Sequence, residues 1–183
     1  LEFRRVLFRS DGTGGVPATR VGNGTNDQGT VLEFDVRGKG GLPTNATQIG
    51  AVSLNVTAAN TRVGNEGGWV AVYPCGTTPN VSNLNFTNGQ ITPNAVITPI
   101  STTGKICFKV YGRTDIIVDI NGWFPTGSGL ATVSPSRIMD TRDGTGGITA
   151  NKVGNGTNDQ GTILEFDVRG KGGLPTDATQ IGA

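Results

Sequence analysis

Short runs along this chain alternate between apolar and polar residues with a period of two. Leu32, Phe34 and Val36 alternate with Glu33, Asp35 and Arg37, which is the pattern of a strand with one buried face. The same period sets Val52, Leu54 and Val56 against Ser53, Asn55 and Thr57, and Leu84 and Phe86 against Asn83 and Asn85. It returns as Ile106, Phe108 and Val110 against Cys107, Lys109 and Tyr111, and as Ile116, Val118 and Ile120 against Asp115 and Asp119. Residues 69–73 (WVAVY), ended by Pro74, and the β-branched run 95–100, broken by Pro99, add two more segments. Asn121-Gly122 follows the strand at 115–120, and Trp123 and Phe124 come next. Turn signals recur about every 8–12 residues, and no window carries a capped 3.6-residue period. About seven to nine short strands in ~130 residues predict an all-β fold, an antiparallel β-sandwich of Greek-key or jelly-roll type. A closed β-barrel is the alternative.

The pattern repeats. Residues 11–51 return at 143–183, an offset of 132, with 35 of 41 positions identical. Val16/Ile148, Arg20/Lys152, Val31/Ile163 and Asn45/Asp177 are among the mild differences. A period of that length suits a whole small domain rather than a solenoid unit. The expected organisation is a lead at 1–10, a nearly complete β-domain at 11–124, a linker at 125–129 and the N-terminal part of a second copy at 130–183. In that second copy, Leu164, Phe166 and Val168 are not expected to be buried as their first-copy counterparts are, because the equivalents of Val52 onward are not among the residues read. The lead LEFRRVLFRS matches its second-copy counterpart VSPSRIMDTR exactly only at Arg5/Arg137. It resembles translated sequencing-adaptor sequence, so these ten residues read as foreign to the repeat. The 136–142 segment is expected either to open its own domain or to complete the one before it.

Composition narrows the chemistry. The net charge is +1 and charged residues make up 16%. Of that charge the lead supplies 3 − 1 = +2, through Arg4, Arg5 and Arg9 against Glu2, so the remainder stands at −1. Nothing here suggests a nucleic-acid partner. No apolar run approaches the length of a membrane span. The sequence has no histidine, which removes the commonest catalytic base and zinc ligand. The two cysteines, Cys75 and Cys107, lie in one repeat and suggest one disulfide. It would close a loop of about 30 residues, with a stabilisation of roughly 3–4 kcal/mol, in an oxidising compartment. Two buried thiols are the other arrangement open to them.

In order, SRIMDTR (136–142), AVSLNVT (51–57), VAVYPCG (70–76), SNLNF (82–86), NAVITPI (94–100), GKICF (104–108) and TDIIVDINGWF (114–124) make up one repeat. This ordered set resembles a tandem repeat of secreted and cell-surface proteins of actinobacteria and their relatives, and it covers nearly the whole 132-residue unit. The resemblance implies an extracellular β-domain, and the two cysteines match the family's usual pair. It brings no catalytic residues with it.

Four groups of residues are candidates for chemistry. Asp140 and Asp143 stand three apart beside a glycine-rich loop and could ligate calcium; turn formation, with Arg137 or Arg142 paired to Asp140, is the plainer role. Asn26-Asp27 and Asn158-Asp159 raise the same question, with an Asx-turn as the plainer role. Trp69, Tyr73, Tyr111 and Trp123 could stack on sugar rings as a glycan-binding face; core or inter-domain packing is the alternative. The DGTGG and RGKGG loops look like phosphate loops, but no helix pattern follows either of them. The expected function is a non-enzymatic structural or adhesive repeat of a large extracellular or cell-surface protein, without a cofactor and with neighbouring copies as partners. A carbohydrate-binding module appended to a secreted hydrolase, with cell-wall or extracellular glycans as ligands, is the alternative.

Overall fold

A computed structural model describes residues 5–9, 21–22, 29–133, 135–148, 150 and 163–181. The chain divides into two compact units, Leu1–Ser134 and Pro135–Ala183. Among its described residues the first unit holds eight strands: β1 Arg5–Arg9, β2 Thr30–Asp35, β3 Ile49–Arg62, β4 Gly68–Pro74, β5 Leu84–Phe86, β6 Thr92–Pro99, β7 Lys105–Tyr111 and β8 Arg113–Pro125. They form two four-stranded sheets, ordered β1-β8-β3-β6 and β2-β7-β4-β5, and every ladder is antiparallel. The chain changes sheet at every connection except β4 to β5. The result is an open sandwich in the jelly-roll order, not a closed barrel.

The alternation seen in the sequence is what seals it. Phe34, Leu54, Val56, Val70, Val72, Phe108, Val110, Ile116 and Val118 turn inward and join one core. Phe108, Leu54, Val70 and Ile116 are wholly buried there. Several elements run further than the pattern alone indicates. β3 extends to fourteen residues because it is a central strand, with β6 on one side and β8 on the other. β8 does not stop at the Asn-Gly pair. Ile120 faces Leu54 and Gly122 faces Ser53, so Asn121 is the extra residue of a bulge and the strand continues to Pro125. The linker expected at 125–129 therefore begins inside a strand. Between β7 and β8 a single residue, Gly112, carries the chain from one sheet to the other at φ 91°.

β1 lies in the lead that reads as foreign to the repeat. Arg5 faces Ile120 and Arg9 faces Ile117, so these residues fill the edge beside β8. Arg5 occupies the position of Arg137 one period later. Residues 136–142 themselves belong to no strand.

The second unit has no strand ladder among its described residues; its one bridge joins Asp140 to Thr145. Its loop nevertheless repeats that of the first unit closely. Gly38 N–H donates to the Pro43 carbonyl at 2.9 Å, and Gly170 N–H to that of Pro175 at 2.9 Å. Asn45 caps the 3-10 turn Ala46–Gln48, and Asp177 caps Ala178–Gln180. Arg37 grips Asp35 as Arg169 grips Asp167, each at 2.6 Å. Lys39 sits over Phe34 at 5.3 Å and Lys171 over Phe166 at 5.4 Å. Burial is what separates the copies. Phe34 is 4% exposed, whereas Phe166 is half-buried and Ile163 and Leu164 are exposed.

Candidate functional site

Residues that alternate with the core on β2, β4 and β7 point to the outer face of their sheet, and there the candidate chemistry gathers. Trp69 on β4 lies opposite Tyr111 on β7, Ala71 opposite Lys109, and Tyr73 opposite Cys107. On the far side of β7, Val31, Glu33 and Asp35 of β2 lie opposite Lys109, Cys107 and Lys105. Ala71, Tyr73 and Cys107 form a second buried cluster, with Trp69, Cys75 and Val81 packed against it.

The disulfide joins Cys75 and Cys107 across 4.9 Å between Cα atoms. It ties the residue after β4 to the middle of β7, and the chain that follows Cys75 folds over Tyr73. The Tyr73 hydroxyl lies 3.2 Å from Thr78 Oγ1, and the residue is 2% exposed. Cys107 is also buried, at 3%. Glu33 remains exposed, and Lys105 Nζ donates to its Oε2 at 2.9 Å.

Three of the four aromatic candidates share this face. Trp69 and Tyr111 stack with ring centroids 5.9 Å apart and planes 7° from parallel. Lys109 holds its ammonium 5.7 Å from the Trp69 centroid, a cation–π contact. Both rings are half-buried. Tyr73 presents no ring to solvent, because the loop after Cys75 covers it. Trp123 belongs to the other sheet, on β8 opposite Val52, and is 36% exposed. The four therefore do not make one platform, and on this face only the Trp69–Tyr111 pair reaches solvent.

The acidic candidates lie in the second unit. Asp140 is 8% exposed and receives Arg142 Nε at 2.9 Å, Arg142 Nη2 at 2.6 Å and Arg137 at 3.3 Å. Hydrogen bonding from Arg142 holds its carboxyl well below the usual carboxylate range. Asp143 accepts from the Thr145 hydroxyl at 2.7 Å and backbone N–H at 2.9 Å, which also lowers its pKa. A cation entering here would meet two guanidinium groups at Asp140. Asn26-Asp27 and Asn158-Asp159 lie outside the described residues.

A second ligand set went unnoticed in the sequence. The carboxylate of Glu33 and the sulfurs of Cys75 and Cys107 all lie within 4.8 Å of one another. The signal was partly visible, since Glu33 and Cys107 each sit on the polar side of an alternating run. Their adjacency depends on the β2–β7 register, which no local pattern specifies. No helix among the described residues is long and apolar enough to cross a membrane. No family model matches this chain, and no curated protein matches it.

Proposed function

We propose that the chain is a non-enzymatic structural or adhesive repeat of a large extracellular protein, working as β-domains strung in series. One observation carries this: a 41-residue segment returns after 132 residues with 35 identities, at the period of a whole domain. A sequence repeated with so little change supplies the same mechanical unit again. The disulfide and the absence of histidine agree with an extracellular unit that performs no acid–base chemistry.

Its mechanics follow from the edge strands. Arg5 pairs near the C-terminal end of β8 and Arg9 further back, so a pull on the two ends of the domain unzips β1 from β8 one hydrogen bond at a time. Single-molecule pulling should give a discrete event at low force. The Cys75–Cys107 crosslink spans 32 residues of sequence. Reductant should therefore lengthen the released chain by roughly 110 Å, at about 3.5 Å per residue. A featureless extension, with no event and no dependence on reductant, would count against a folded load-bearing unit.

A second reading is carbohydrate binding, and the Trp69–Tyr111–Lys109 group on the outer face favours it. Retention on cell-wall glycan that is lost in Trp69→Ala would establish it in place of the first.

A further inference from the structure

We infer that the reduced protein has a zinc site made of Cys75, Cys107 and Glu33. Cys107 and Glu33 are direct cross-strand neighbours on the outer face of β7 and β2. The disulfide holds Cys75 beside Cys107, with Cα atoms 4.9 Å apart, and all three ligand atoms lie within 4.8 Å of one another. Zinc takes thiolate sulfur at about 2.3 Å and carboxylate oxygen at about 2.0–2.2 Å in tetrahedral geometry, which puts two bound sulfurs about 3.7 Å apart. Two sulfurs released from a disulfide reach that separation with a small side-chain rotation. Two sulfurs and one oxygen leave the fourth position for water, and Glu33 lies on the exposed side where water can enter.

The surroundings shield the sulfur pair. Ala71, Tyr73 and Val81 pack around the sulfur pair and keep one side apolar. Lys105 is the opposing group, because its ammonium holds the Glu33 carboxylate at 2.9 Å and must give way to the ion. The chemistry balances with an external thiol. Two thiols reduce the Cys75–Cys107 bond and leave as their own disulfide, and the two cysteines take up two hydrogens. Zinc binding then releases both thiol protons to solvent. The disulfide and the ion are thus alternative ways of tying the end of β4 to β7.

The full chain, reduced and freed of reductant without air, is titrated with cobalt(II) and then with zinc. The expected result is one cobalt per chain, with a thiolate-to-cobalt charge-transfer band that zinc removes, and no such band in the oxidised protein. Glu33→Gln should weaken zinc by about tenfold or more, on the scale of altered metal-site partners. Lys105→Met should tighten it, and Cys107→Ser should abolish the band. An unchanged affinity in Glu33→Gln, or a reduced chain that binds no better than Cys75→Ser/Cys107→Ser, would overturn the site. If reduction unfolds the domain, recovery of the β-sheet circular dichroism on adding zinc, lost in Glu33→Gln, supports it; no recovery overturns it.

Discussion

Gly112 joins two strands of different sheets without a loop, and its backbone at φ 91° lies where a Cβ is disfavoured. A Cβ built there would also run into Val63 Cγ1. Gly112→Ala should destabilise the first unit by about 1–3 kcal/mol, as a lower urea midpoint with an unchanged slope. An unchanged midpoint would show that the link relaxes freely. Single residues set the charge behaviour of the repeated loop as well. Arg169 hydrogen-bonds Asp167 and lowers its pKa from 3.8 to about 2. Arg37 lowers Asp35 in the same way. A carboxylate held below its unfolded value adds stability above that value and loses it as the pH falls through the folded one. For Asp167 the window runs from 3.8 down to about 2. A carboxylate NMR titration should follow Asp167 to that value, and Arg169→Ala should return it toward 3.8. A pKa that ignores the substitution would mean that the pair does not form in solution.

Two elements with nearly the same sequence have different surroundings. β2 carries Phe34 into the core at 4% exposure, while residues 163–167, the described part of the matching segment, belong to no strand and leave Phe166 half-buried. Phe34→Ala should therefore cost about 3–5 kcal/mol. Phe166→Ala should leave the unfolding midpoint of the first unit where it was, and equal losses from both would refute the difference. The Asp–Arg grip, the glycine turn and the capped 3-10 turn form in both copies, because each is bonded within a few residues. The strand forms only where β7 is present to pair with it. The same distinction explains how far the fold was legible. Five strands could be read from alternation because each buries one face, and two more, β4 and β6, from an apolar and a β-branched run ended or broken by proline. β5 proved shorter than its pattern, because the Asn83 side chain accepts from Val72 N–H at 2.7 Å in place of a ladder bond. β1 was missed because its run shows no alternation, and its partner lies more than a hundred residues away. Of the site, Trp69 and Tyr73 could be placed on one face from spacing. The Tyr111 stack and the neighbouring Glu33 could not, since both follow from a register fixed by distant strands.

At the largest scale, the order of the strands means that the N-terminal segment of the first unit forms one edge of each sheet. Arg5 finds Ile120, 120 − 5 = 115 residues later, and Thr30 finds Val110 after 110 − 30 = 80. Residues 137–141, the second copy of the β1 position, begin only 137 − 120 = 17 residues beyond Ile120. By loop-closure entropy alone, the nearer segment meets β8 with an advantage of about 1.7 kcal/mol. Refolding of 1–183 should therefore show a slow phase that is missing from 1–134, measured by Trp fluorescence after dilution from denaturant. Identical kinetics would mean that 137–141 never competes. The same arrangement sets a clock during synthesis. At about 5–20 residues per second, β1 waits roughly 6–23 s for its place beside β8 to exist, and by then the next copy is already following it out. The first unit must fold against the order in which it is made, shut by the strand that emerged first.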